Sequence, residues 1–169
     1  MTPRVVLIGP PGAGKSSIGR ALARALKIDF ADTDSLIEAD QKRSVSQIFV
    51  DDGEPKFRET EERICLSALE KRDGVLALGG GAPLLPAVAE KLRQLEGEVV
   101  FLDVSLAVAA PRVGFNRDRP LLLKNPRQQW QQMMEIRRPT YQELATIVIE
   151  VGQLSVSKIV DELMTKVNE

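Results

Sequence analysis

The sequence predicts an α/β fold, a parallel sheet covered by helices, on three observations. Short apolar runs alternate with amphipathic stretches along the chain. The first run, Val5-Val6-Leu7-Ile8, is apolar on both faces, as a strand buried on both sides must be. A glycine-rich turn and a helix-period pattern follow it directly.

Taken in order, the first strand ends at Gly9. Ile18, Ala21, Leu22, Ala25 and Leu26 then recur at helical spacing, which predicts a helix from about Lys15 with these residues inward. Phe30-Ala31-Asp32 reads as the end of a second strand. Residues 35–72 are mostly helical in pattern, with a break expected at Asp52-Gly53-Glu54-Pro55. Residues 75–78 form a third strand running into Gly79-Gly80-Gly81. Pro86 suits the first turn of a helix carrying Val88, Leu92 and Leu95 on one face. Residues 99–104 read as a fourth strand. Residues 114–126 are polar, basic and proline-bearing, and read as a loop. Arg137 and Arg138, before Pro139, read as a helix end, where cations offset the dipole. Residues 146–150 are the last strand. Ser155 is expected to cap a helix with Val156, Ile159, Val160, Leu163 and Val167 inward. No repeat or linker interrupts the pattern, so residues 1–169 are expected to form one domain.

Composition removes several functions. Lys and Arg number 23 against 24 Asp and Glu, and that balance argues against nucleic acid or an anionic membrane as a partner. A single cysteine, Cys65, rules out an internal disulfide and a thiolate metal cluster. The absence of histidine excludes Ser-His-Asp and Cys-His nucleophiles and histidine-ligated zinc. Acid–base chemistry must fall to Asp, Glu, Lys or Tyr. The first apolar run is too short for a signal-peptide core, and no run of about 18 apolar residues exists to span a membrane. A cytoplasmic protein is the expectation.

Gly9-Pro10-Pro11-Gly12-Ala13-Gly14-Lys15-Ser16 matches G-x-x-x-x-G-K-[ST] in full. Chance would produce this in roughly 1% of chains of this length or fewer. Backbone N–H groups in such a loop curl into an anion nest, and the following helix adds its positive dipole end. Lys15 then reaches the β- and γ-phosphates of a nucleotide, and the Ser16 hydroxyl ligates Mg²⁺. A dinucleotide fingerprint would need a glycine where Ser17 stands. The D-x-x-G and N-K-x-D patterns of GTPase switches do not occur.

Asp32-Thr33-Asp34 falls at the carboxyl edge of the sheet, where open α/β folds bind ligands. A carboxylate there can accept a substrate hydroxyl proton, and one of the pair can support magnesium through water. The plain alternative is a helix cap by Asp34 or Thr33. Gly79-Gly80-Gly81 falls at the same edge and costs backbone entropy, so either something approaches it closely or it is a flexible loop. Arg58 stands beside acids, and its plain reading is an ion pair with Glu61 or Glu62 on a solvated face. Arg117 and Arg119 suit a lid closing over a phosphate. Arginines away from the loop point to an anionic acceptor. Cys65, Trp130, Met133 and Met134 read as packing residues.

Together with Asp52-Gly53-Glu54, Phe57-Arg58, Arg119-Pro120-Leu121-Leu122 and Arg137-Arg138-Pro139-Thr140-Tyr141, these segments closely resemble the shikimate kinase family over nearly the whole chain. The resemblance implies a three-layer α-β-α fold of P-loop kinase type with a five-stranded parallel sheet. It also implies a substrate-binding segment at about 33–61 and a mobile lid at about 112–124. The reaction it implies is transfer of the ATP γ-phosphoryl group to the 3-hydroxyl of shikimate, in the chorismate route to aromatic amino acids. ATP and shikimate are then the small-molecule partners, Mg²⁺ the cofactor, and a monomer the expected form. By matching position, Asp34 orients the acceptor hydroxyl and takes its proton, while Lys15 and Arg119 neutralise the transferring group. Gly12, Ala13, Gly14, Lys15, Ser16 and Ser17 hold the ATP phosphates, and Arg112 packs on adenine. Ser16 holds the metal with Asp32 behind it through water. Arg58 and Arg137 grip the shikimate carboxylate, Gly79, Gly80 and Gly81 line its site, and the Gly80 N–H contacts it. Arg138 is the neighbour of the ligand arginine.

The sequence departs from relatives at two places. An arginine found in some adenine loops is missing from Val151-Gly152-Gln153-Leu154-Ser155, so adenine contacts fall to backbone or Gln153. The lid sequence also differs, which leaves Arg117 without an assigned role. The alternative is another small-molecule P-loop kinase, acting on gluconate or a nucleoside monophosphate. The triple glycine with Arg58 and Arg137 argues against it. A nucleotide-binding module without catalysis would be expected to lack Lys15, Asp34 or Arg119.

Overall fold

Val5–Ile8 forms β1, with no residue exposed, at the centre of the sheet in the computed structural model of the chain. Residues 2–113 and 125–167 are described. Around β1 stand β2 (Phe30–Asp32), β3 (Val75–Ala77), β4 (Glu98–Asp103) and β5 (Ile147–Glu150). All four pairings are parallel and the order is β2-β3-β1-β4-β5. Parallel pairing has one consequence for function: every strand delivers its carboxyl end to the same edge. The order also reverses at β1, which has β3 on one side and β4 on the other, and such a switch point opens a crevice at that edge.

The helices are α1 (Lys15–Leu26), α2 (Thr33–Gln41), α3 (Val45–Lys71), α4 (Pro86–Arg93), α5 (Leu106–Val113), α6 (Pro126–Leu144) and α7 (Val156–Val167). A 3₁₀ turn, Ala82–Leu84, precedes α4. α1 packs against α7, while α3, α4 and α6 meet one another around the 3₁₀ turn. The complete burial of β1 follows from cover on both faces, and the α/β class and five parallel strands expected from the sequence are present. A smaller cluster of Ile37, Val45, Ile48 and Phe57 joins α2 to the first half of α3. Phe49 and Phe57 stack within it at 4.5 Å between centroids.

Several local expectations hold and several need correction. The break in the long helical stretch falls at Gly53 (φ 81°), followed by Pro55. Ser155 caps α7, accepting the Lys158 N–H at 3.3 Å. On α1, however, Ala25 is exposed and Gly19 and Ala23 take the inward places. Val156 is exposed at the start of α7, and Leu95 lies past the end of α4, half-buried. α2 begins at Thr33 rather than residue 35, and its cap is Asp32, whose side chain accepts the Asp34 N–H at 2.8 Å. α5 carries Pro111 inside it and was not foreseen. Pro126 opens α6 instead of closing a loop, and residues 114–124 of that expected loop lie outside the described residues. Arg137 and Arg138 sit in mid-helix. Pro139 forfeits one helical hydrogen bond, yet α6 runs on because Tyr141 and Leu144, beyond it, are buried.

Gly74, at the entry to β3, has φ 93°, and a Cβ there would overlap the Asp29 carbonyl oxygen. That oxygen accepts the Val75 N–H at 2.8 Å and so starts the pairing of β2 with β3. Gly74→Ala is expected to lower stability by about 2–4 kcal/mol, combining left-handed strain with a forced backbone shift. Urea unfolding would read this as a lower midpoint at unchanged slope. An unmoved midpoint would contradict the close approach.

Candidate active site

The loop between β1 and α1 turns through Gly12 and Gly14, at φ 85° and 89°, a region costly for residues with a Cβ. Each carbonyl of residues 9–13 faces a donor. Lys15 Nζ donates to the Gly9 and Pro10 carbonyls at 2.7 and 3.0 Å. The Trp130 indole N–H donates to Pro11 O at 3.1 Å. Arg112 Nη1 lies 3.3 Å from Gly12 O and 3.5 Å from Ala13 O. With its carbonyls turned outward, the loop has the form of an anion nest. Trp130 is therefore more than packing: it ties α6 to the nucleotide loop. A buried indole N–H needs an acceptor, and that was the available signal.

At the end of β2, Asp32 holds two groups at once. Its Oδ2 accepts the Ser16 hydroxyl and its Oδ1 the Asp34 N–H. Capping thus falls to Asp32, which leaves the Asp34 side chain to the cleft in the first turn of α2. Thr33 is wholly buried and its hydroxyl accepts the Gly79 N–H at 3.1 Å, pinning the end of β2 to the segment after β3. The sequence offers Thr33 only as a helix cap, a place that Asp32 takes.

Gly79-Gly80-Gly81 is held, and the flexible-loop reading fails. Gly79 and Gly80 are buried. The three carbonyls accept from Ala82 N–H (3.1 Å), the Tyr141 hydroxyl (2.6 Å) and Leu84 N–H (3.1 Å). Each glycine meets different charged groups. A Cβ on Gly79 would lie 2.9 Å from Glu61 Oε2 and 3.0 Å from Asp34 Oδ1. On Gly80 it would lie 3.0 Å from Arg137 Nη1 and 3.3 Å from Pro11 Cδ, and on Gly81 2.5 Å from Arg58 Nη1. Asp34, Arg58 and Arg137, far apart in sequence, thus converge on one tripeptide.

Arg58 does make the expected ion pair with Glu61, at 2.6 Å, but not on a solvated face: Glu61 is 1% exposed. Glu54 adds a longer contact at 3.5 Å. The sequence offers Glu61 only as one of two partners on a solvated face, because a buried glutamate inside Glu59-Thr60-Glu61-Glu62 looks like its exposed companions. Arg138 turns away to Asp103 at the end of β4, which leaves Arg137 as the arginine of the glycine segment. Burial, with Glu61 nearby, pushes the Cys65 thiol far above its ordinary range, in keeping with a packing role.

A cleft of about 460 Å³ joins these parts. It runs from Ser17, Arg112, Val156 and Ile159, past Lys15 and Ser16, to Asp34, Gly79 and Gly80. Its apolar end is lined by α7 rather than by Gln153. Lys15, Arg58, Arg112 and Arg137 make the surroundings suited to anions, with Asp32, Asp34 and Glu61 set among them. Among the described residues no group of three His, Cys, Asp or Glu side chains could cage a metal. The Ser16–Asp32 pair instead fits Mg²⁺, a hard cation held by one or two protein oxygens, water and substrate phosphates. Arg117 and Arg119 lie outside the described residues, as does nearly all of the expected lid. No helix among the described residues is long and apolar enough to cross a membrane.

A family model described as shikimate kinase matches residues 11–168. A shikimate kinase of Rhodococcus erythropolis is 44% identical over 170 residues, covering 100% of this chain and 99% of that protein. One from Thermobifida fusca is 48% identical over 153 residues, 89% of this chain and 87% of the other. Among solved structures, shikimate kinase from Acinetobacter baumannii in complex with shikimate superposes with a TM-score of 0.94 at 32% identity. It covers 99% of this chain and 93% of that one.

Glu61→Gln removes the charge that faces Arg58 in a buried setting. It is expected to cost about 1.5–3 kcal/mol, the range for a hydrogen bond to a charged group, in the urea midpoint. Wild-type stability in that variant would mean that Arg58 finds another partner without loss.

Proposed function

This chain belongs to the shikimate kinase family, and on that premise we propose how its residues carry out the reaction. It is an ATP-dependent phosphotransferase that converts shikimate to shikimate 3-phosphate in aromatic amino acid biosynthesis. The observation that carries the residue roles is the meeting of Asp34, Arg58 and Arg137 on Gly79-Gly80-Gly81, beside the phosphate loop.

The acceptor carboxylate lies between the guanidiniums of Arg58 and Arg137 and takes the Gly80 N–H. Paired guanidiniums match the planar oxygens of a carboxylate. Its 3-hydroxyl then faces Asp34. As that oxygen bonds to the γ-phosphorus, Asp34 takes its proton and the bond from γ-phosphorus to the bridging oxygen of ADP breaks. Gly12, Ala13, Gly14, Ser16 and Ser17 hold the nucleotide phosphates. Lys15 leaves the Gly9 and Pro10 carbonyls for the phosphate oxygens, and Arg119 joins it from the 112–124 segment. Arg112 and the apolar wall of Val156 and Ile159 receive the adenine. Ser16 directly, and Asp32 through water, would hold Mg²⁺, which when bound neutralises charge on the β- and γ-phosphates. A monomer working in the cytoplasm, where ATP is supplied, completes the proposal. Another small-molecule P-loop kinase, for gluconate or a nucleoside monophosphate, is less supported, given the family match over residues 11–168.

ADP release with Mg-ATP, compared across shikimate, quinate, gluconate, AMP and no acceptor, tests the reading. Fast release is expected with shikimate alone, and preference for another acceptor would overturn it. Asp34→Asn should lower kcat by roughly 10²–10⁴ through loss of a positioned proton acceptor. Retained turnover would remove Asp34 from proton transfer. Arg137→Ala should raise KM for shikimate roughly 10- to 150-fold, the worth of charge-assisted hydrogen bonds of about 1.5–3 kcal/mol, with KM for ATP nearly unchanged. Equal loss for both substrates would contradict its role.

A further inference from the structure

Tyr141 is the chain's single tyrosine and is wholly buried. Its ring packs on Phe101 of β4, with centroids 5.1 Å apart and planes tilted by 39°. Its hydroxyl donates to the Gly80 carbonyl at 2.6 Å. Arg137 stands one helical turn earlier on α6, on the same face. Burial pushes the phenol's pKa up, and the charge of the nearby Arg137 guanidinium pulls the other way, with Arg58 adding to that pull. The phenol thus binds the main chain of Gly80, the same residue that the Arg137 guanidinium approaches.

The consequence follows from peptide geometry. A peptide unit is planar and trans, so fixing the Gly80 carbonyl fixes the whole Gly80–Gly81 plane and directs the Gly81 N–H the opposite way. Glycines cannot hold such a plane by side-chain packing, and they lose the most freedom in adopting it. Neighbouring groups are already committed: the Gly79 N–H goes to Thr33, and the Gly79 and Gly81 carbonyls to Ala82 and Leu84. Among the described residues, the Gly80 and Gly81 N–H groups have no acceptor. An anion at this edge can accept from both.

We propose that Tyr141 is a positioning residue for the acceptor carboxylate, its hydroxyl holding the Gly80–Gly81 peptide and the Arg137 guanidinium in register. The proposal rests on the acceptor reading given above and adds a residue that touches no substrate. Tyr141→Phe keeps the ring on Phe101 and deletes only the hydroxyl. Its penalty therefore depends on whether the acceptor carries a carboxylate, which a purely structural role would not produce.

The test compares wild type and Tyr141→Phe with shikimate and with the analogue whose carboxylate is reduced to a primary alcohol. With shikimate, KM is expected to rise roughly 10-fold in the variant, with kcat within about 3-fold and KM for ATP unchanged. With the alcohol, the variant's penalty should shrink to less than about 2-fold. Equal penalties for the two acceptors would overturn the proposal, and absence of wild-type turnover with shikimate would overturn the acceptor reading and the proposal with it. Because Tyr141 is the only tyrosine, growth on 3-fluorotyrosine labels it alone and keeps its hydroxyl. Its single ¹⁹F resonance should shift on adding shikimate and much less with the alcohol. A resonance unmoved by saturating shikimate would overturn the proposal even where Tyr141→Phe fails to fold.

Discussion

Four charged groups can crowd one edge of this sheet because three successive residues there have no side chains. A Cβ on Gly79, Gly80 or Gly81 would meet Asp34 and Glu61, Arg137, or Arg58 respectively. The tripeptide follows β3, the neighbour of β1, so it lies against the nucleotide loop, with Pro11 close to Gly80. That proximity puts the tripeptide and the charged groups around it beside the loop after β1. Phosphoryl transfer asks mainly for such placement and for charge compensation.

α6 ties the two halves of the site together. Along one helix, Trp130 reaches the Pro11 carbonyl, Arg137 and Tyr141 reach Gly80, and Arg138 reaches Asp103 at the end of β4. These partners lie on the loops after β1 and β3 and on β4 itself, so the helix bridges the switch point of the sheet. α2 does the complementary work on the other side. Asp32 caps it while binding Ser16, and Thr33 anchors Gly79, so the start of one helix sets both the Ser16 hydroxyl and the segment after β3.

What could be read in the sequence was what local chemistry dictates. Val5–Ile8 is apolar on both faces and had to be a buried strand, and the glycine-lysine-serine motif after it turns into α1 as its pattern requires. Gly53 and Pro55 announced the break in α3. What escaped reading depends on distant partners. Pro139 and a polar composition hid the extent of α6, whose continuation past the proline is decided by the burial of Tyr141 and Leu144. Glu61 could not be told from the acids beside it, since only the fold puts it beneath Gly79. Thr33 and Trp130 gained their roles from a donor and an acceptor 46 and 119 residues away, respectively.

A crystal structure with shikimate bound tests the central claim most directly, because the claim concerns where one small molecule sits. The account predicts the carboxylate between the guanidiniums of Arg58 and Arg137, with the Gly80 N–H donating to it. It also predicts the 3-hydroxyl within hydrogen-bond distance of Asp34, facing the phosphate loop. A carboxylate bound instead at Lys15, or a 3-hydroxyl turned away from Asp34, would contradict it.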